Sequence, residues 1–165
     1  PEAELTFEDL QDPYGIEFWP EFKGRDGCRT PMVWQSDNGL CGFSTAEKAW
    51  LPMTAPHRPL SVAAQEADPA ALIHHYRRAL AFRRAHPVLR DGTMTEIRAE
   101  GPVARFLRAG DETMFCAFNL SDGTETISLP QGEWQGIGAE LGSQPAARNV
   151  TLGPWQICLA RRVQV

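Results

Sequence analysis

No run of apolar residues in this chain approaches the ~20 needed to cross a bilayer as a helix. We therefore expect no membrane partner. Basic residues are in deficit: 16 Lys and Arg against 21 Asp and Glu leave a net charge of −5. That balance lacks the cationic footprint of a nucleic-acid surface, so no nucleic-acid partner is expected. Cysteine is sparse, with 4 in 165 residues. None forms a C-x-x-C pair and no His stands at ligand spacing from one, which argues against a zinc site. Cys116 and Cys158 lie in apolar runs and read as small buried hydrophobes. Cys28 and Cys41 could bridge, but free thiols in a reducing cytoplasm are the favoured reading, and a cytoplasmic location is expected.

Other signatures are missing too. The first residue is Pro1 rather than Met, and the acidic segment after it lacks the basic start and apolar core of a signal peptide. A processed chain or a piece of a longer one is the expectation. Asn119-Leu120-Ser121 and Asn149-Val150-Thr151 match the glycosylation sequon, but without a secretory signal they carry little weight. No Gly-rich loop follows a strand, so no phosphate cradle and no cofactor are expected. His57 and His86 sit beside prolines, and His74-His75 falls within a helical stretch. With no Ser or Cys in an elbow motif there is no triad to build.

What the chain has is enough apolar material, 42% of residues, for a packed core. Residues 1–60 show no sustained period and are punctuated by the turn signals Asp12-Pro13-Tyr14-Gly15, Trp19-Pro20, Lys23-Gly24-Arg25-Asp26-Gly27 and Asp37-Asn38-Gly39. Their aromatic residues (Phe18, Trp19, Phe22, Trp34, Phe43 and Trp50) argue for a long ordered loop rather than disorder. A short helical turn is expected at Ser61–Gln65. A longer helix follows, with Asp68 as N-cap, Pro69 at its first position and an end at Pro87. Leu72, Ile73, Tyr76, Ala79 and Leu80 make its apolar face. Arg77, Arg78, Arg83 and Arg84 crowd its later turns, where cations suit the macrodipole. From Asp91 the period becomes two. Strands are expected at Met94–Ala99, Val103–Arg108, Met114–Asn119, Thr126–Leu129, Asn149–Leu152 and Trp155–Ala160, separated by turn chemistry as in a small antiparallel sandwich.

The most informative run is Gly24-Arg25-Asp26-Gly27-Cys28-Arg29-Thr30-Pro31-Met32-Val33-Trp34. Two guanidinium groups four residues apart flank an Asp-Gly turn, and Arg presents five donors in a rigid fork suited to oxygen-rich partners. This run closely resembles the loop after the last barrel strand in α-glucosidases of the α-amylase superfamily, glycoside hydrolase family thirteen. The likeness extends from Asp12-Pro13-Tyr14-Gly15 to Trp155. It implies an α+β fragment: the end of a (β/α)8 barrel, with its eighth loop and last helix in residues 1–89, then an antiparallel β-sandwich in residues 90–165.

The resemblance implies roles as well. Arg29 reaches the floor of the pocket that holds the non-reducing glucose and pairs there with an Asp from an early barrel loop. Removing one partner of such a buried pair costs about 3–5 kcal/mol. The alternative is a structural loop arginine bonding carbonyls. For Arg25, the leaving-group side of the pocket and a tie to Asp26 both stay open. Asp26 is expected to cap the turn through its own backbone. Phe18 and Trp19 suit a pocket rim, whereas Trp34 reads as an anchor.

A retaining glycosidase needs two carboxyl groups about 5–5.5 Å apart. Glu2, Glu4, Glu8, Asp9, Glu17 and Glu21 have the spacing of a solvated acidic loop, and no position matches the family's nucleophile or acid/base motifs. No catalytic residue is therefore assigned here, and this segment alone is expected to be inactive. The implied partners are α-glucosides, small oligosaccharides and an upstream catalytic barrel polypeptide. The implied activity of the complete enzyme is retaining, exo-acting hydrolysis of terminal α-linked glucose, with glucosyl transfer as a second outcome. Sucrose isomerases and trehalose synthases carry a similar loop. Some non-catalytic relatives, the amino-acid-transporter heavy chains, keep the fold and act as binding partners.

Overall fold

The computed structural model describes residues 2–37 and 39–163; Asn38, in one of the expected turns, lies outside the described residues. The chain forms two compact units, residues 1–74 and 75–165.

The first unit is mostly irregular, as its prolines and glycines dictate, but it has a core. Leu5, Leu10 and Leu51 are buried together, with Ala3 and Trp19 packed against them. Around this core, among the described residues, run three 3-10 turns (Phe7–Asp9, Asp26–Cys28 and Ala55–Leu60) and two short helices, α1 (Pro13–Glu17) and α2 (Val62–Ala67). Asp12 is the N-cap of α1: its Oδ1 accepts from the Tyr14 N–H at 3.1 Å, and Pro13 occupies the first turn. The expected helical turn at Ser61 is α2, capped by the buried Ser61 hydroxyl, which accepts from the Ala64 N–H at 3.2 Å.

The longer helix, α3, spans Leu72–Ala85. Its start is later than the sequence implied. Asp68 does not cap it: Oδ1 of Asp68 accepts from the Ala70 N–H, and its carbonyl from the Ala71 N–H, closing a separate turn first. The expected apolar face is also not the one that packs within the chain. Leu72, Tyr76 and Leu80 are 62%, 61% and 48% exposed, and Phe82 is the residue that joins the core of the second unit. A single turn, α4 (Val88–Asp91), follows Pro87.

Among its described residues the second unit holds seven strands: β1 (Thr93–Glu100), β2 (Val103–Ala109), β3 (Thr113–Asn119), β4 (Glu125–Ser128), β5 (Trp134–Ile137), β6 (Asn149–Leu152) and β7 (Ile157–Arg162). All pair antiparallel, in a five-stranded sheet ordered β1-β2-β3-β7-β5 and a two-stranded sheet of β4 and β6. β5 was not legible in the sequence. It forms because β7 offers an edge, with Gly136 opposite Ala160 and Ile137 opposite Leu159. A Cβ at Gly136 would stand 2.2 Å from Oε1 of Gln144 and 2.6 Å from Pro145 Cδ, so only glycine admits that chain. β7 begins at Ile157 rather than Trp155, because Trp155 is held at φ +57° in the preceding turn.

Side-chain alternation sorts β3 between two cores. Phe115 and Ala117 join Val103, Leu107, Cys158 and Ala160 and meet Ile127, Val150 and Leu152 of the small sheet. Met114 and Cys116, with Leu159, pack on the opposite face against Val88, Phe82 and Leu89. Burial pushes the Cys116 thiol up to about 12 and that of Cys158 to about 11. All four cysteines are free thiols, with Cys41 also buried and Cys28 exposed. The buried Asn119 amide donates to the carbonyls of Gly123 and Gly153 at 2.8 and 2.9 Å, so that sequon is a structural corner and leaves no free amide for a glycan.

Candidate functional site

The loop 24–34 lies wholly in the first unit, and backbone bonds fix it at both ends. Ala3 N–H donates to Gly27 O at 3.0 Å, while Val33 and Trp34 carbonyls accept from the Val62 and Ala63 N–H groups at the start of α2. Gly24 admits the turn. It has φ +70°, and a Cβ there would meet the Asp12 side chain at 2.9–3.1 Å. Arg25 and Arg29, flanking the 3-10 turn Asp26–Cys28, both approach one oxygen of Asp12, Oδ2.

Two buried carboxylates organise the cluster. Asp26 is fully buried, and its Oδ2 accepts from the backbone N–H groups of Gln11 and Asp12, each at 2.6 Å. Contrary to the expectation from sequence, the Asp26 side chain does not cap its own turn; it clips the loop to residues 14 and 15 positions earlier. Its other oxygen, Oδ1, accepts no hydrogen bond and lies 3.8 Å from Nη1 of Arg29. Asp12 Oδ2 accepts from the Arg25 N–H at 3.1 Å, and lies 3.5 Å from Arg29 Nη1 and 3.9 Å from Arg25 Nε. The Arg25 N–H bond does most to hold the Asp12 carboxyl below its ordinary value of 3.8; burial opposes it, and the Tyr14 N–H and the charges of Arg29 and Arg25 add to the lowering. Arg25 and Arg29 remain 73% and 41% exposed. The cluster thus engages two guanidinium groups while leaving both partly exposed.

Phe18 is exposed and stacks on Tyr14, with ring centroids 6.3 Å apart and planes 11° from parallel. Trp19 is half-buried, tilted against Phe7 at 5.9 Å, with the Lys23 ammonium 5.9 Å over its ring. Trp34 is exposed, and it is the backbone on either side of its ring that fixes the loop. A cleft of about 260 Å³ beside the loop is lined by Cys28, Thr30, Met32 and His57. A larger groove, about 1030 Å³, lies in the second unit; its charged lining is partly self-paired, through Arg105 with Glu100 and Arg162 5.0 Å over the Trp134 ring.

Of the acidic run, Glu2, Glu4, Glu8, Glu17 and Glu21 are exposed and Asp9 is half-buried; Glu4 pairs with Lys23 at 2.5 Å and Asp9 accepts from the Thr6 hydroxyl. Among the described residues no three His, Cys, Asp or Glu side chains converge as metal ligands. No helix among them is long and apolar enough to cross a membrane. The residues that sequence reasoning missed are Asp12, read only as part of a turn, and the reach of Asp26 across to it.

An arginine loop anchored on buried carboxylates, followed by a helix and an antiparallel sandwich, is the layout of the closing portion of a carbohydrate-active barrel enzyme. Residues 3–92 match the family model described as alpha amylase, catalytic domain. The chain belongs to the α-amylase family, glycoside hydrolase family thirteen. It is 50% identical over 163 residues to a probable alpha-glucosidase of Rhizobium meliloti (strain 1021), covering 97% of this chain and 29% of that protein. It is 32% identical over 122 residues to an oligo-1,6-glucosidase of Parageobacillus thermoglucosidasius, covering 73% of this chain and 21% of that one. The crystal structure of the alpha-glucosyl transfer enzyme XgtA superposes with a TM-score of 0.87 at 39% identity, covering 98% of this chain and 30% of that one. The chain spans under a third of the length of these relatives. Its fold is the end of a (β/α)8 barrel followed by an antiparallel β domain.

Proposed function

We propose that this chain is the C-terminal segment of a retaining, exo-acting α-glucosidase that hydrolyses, and also transfers, terminal α-linked glucose. Residues 1–89 close the catalytic barrel and residues 90–165 form the C-terminal sandwich. The observation that carries this reading is the loop itself: Arg29 is backed by buried Asp12 and Asp26 yet left half exposed, in a chain 50% identical to a probable alpha-glucosidase. Arg29 binds hydroxyls of the terminal glucose at the pocket floor. Arg25 faces the leaving-group side, and Phe18 and Trp19 border the pocket. The nucleophile and acid/base carboxylates are supplied by an upstream barrel polypeptide, so this segment alone is inactive. The exposed apolar side chains Leu72, Tyr76 and Leu80 on α3 support such a partner, since a row of this kind marks an interaction surface. We place the enzyme in the cytoplasm, in keeping with its four free thiols.

Arg29→Ala in the full-length protein tests the assignment. We expect kcat/KM on p-nitrophenyl α-D-glucoside to fall about a hundredfold or more, equivalent to roughly 3 kcal/mol of transition-state binding, in a variant that still unfolds cooperatively. Near-normal kcat/KM sinks the role given to Arg29. Transfer has its own support in the similarity to a glucosyl transfer enzyme; the ratio of transfer to hydrolysis products from maltose measures it.

A further inference from the structure

We propose that Asp26 is a positioning residue for sugar recognition, acting through Arg29, with Asp12 as its second support. This rests on the role proposed for Arg29. A long arginine side chain has many rotamers, and one that must meet a sugar hydroxyl is useful only if held before the sugar arrives. Here the holding groups are on the page. Arg29 is fixed at its backbone by its own N–H to Asp26 O, 2.9 Å. Its Nη1 faces Asp12 Oδ2 at 3.5 Å and Asp26 Oδ1 at 3.8 Å. Both carboxylates are themselves immobilised by backbone N–H groups, Asp26 by Gln11 and Asp12, and Asp12 by Tyr14 and Arg25.

The two oxygens of Asp26 divide the work. Oδ2 alone takes both backbone bonds that clip the loop, and Oδ1 takes none. A buried acceptor without a hydrogen bond is uncommon and calls for a reason; this one faces the guanidinium. Both approaches exceed hydrogen-bond length, so these two carboxylates hold Arg29 by charge and leave its donors to the sugar and to the aspartate of the early barrel loop. Asp26→Asn separates the two functions. The Asn carbonyl can take both backbone bonds in place of Oδ2, while the negative charge facing Arg29 is lost.

The test is a double-mutant cycle in the full-length protein, reading kcat/KM on p-nitrophenyl α-D-glucoside and the melting temperature for wild type, Asp26→Asn, Arg29→Ala and the double variant. We expect Asp26→Asn to cost about tenfold or more beside Arg29, but less than about twofold in the Arg29→Ala background. An equal factor in both backgrounds, or no loss at all, overturns the positioning role. If Asp26→Asn gives no cooperative melt, Asp12→Asn goes through the same cycle under the same criteria. Near-normal activity of Arg29→Ala removes the role of Arg29 and this inference together. A large Arg29→Ala loss with an additive Asp26→Asn effect removes only the inference.

Discussion

At Asp12 a single side chain caps α1 through Oδ1 and meets both arginines through Oδ2. Its carboxyl titrates lower when folded than when unfolded, so the folded state binds fewer protons in acid. The stabilisation is therefore fully present above the unfolded value, near 3.8, and is lost as pH falls through the lower folded one. Asp12→Asn removes that dependence. Urea midpoints measured from pH 3 to pH 7 are expected to show a wild-type advantage over Asp12→Asn that is flat above about pH 5 and shrinks below about pH 4; an advantage that grows in acid contradicts it. At this scale the sequence was informative about Arg25 and Arg29, because their spacing and the Asp-Gly turn between them are local. It was silent about how Asp26 reaches Gln11 and Asp12, because that contact depends on the path of the whole intervening loop.

Among the elements, those with a strong local period were the legible ones. β2, β3, β4 and β6 lie within a residue or so of where alternation put them, and Ser61 announced α2. Two misplacements have physical causes. Asp68 spends its side chain on a turn of its own, so α3 opens at Leu72. β5 contains Gly136 and no alternating pattern, and owes its existence to the free edge of β7. β3 carries the largest packing load, since its alternate residues serve both cores. Phe115, 1% exposed, sits between the two sheets with Trp134 5.9 Å from its ring. Phe115→Ala is expected to destabilise the sandwich by about 3–5 kcal/mol, read as a lower urea midpoint in the full-length protein. A shift of less than about 0.5 kcal/mol, typical of a surface site, contradicts this account of the core.

For the molecule as a whole, the family and the layout were carried by one short loop and the change of period after it. The chemistry was not, because the chain spans only 29% of the probable alpha-glucosidase to which it is 50% identical. The central claim, that this segment completes a retaining exo-acting α-glucosidase, is tested most directly by proton NMR of the full-length protein acting on maltotriose. We predict glucose released one unit at a time from the non-reducing end, appearing first as the α-anomer and only later mutarotating. Initial release of β-glucose, cleavage within longer oligosaccharides, or no turnover would contradict it.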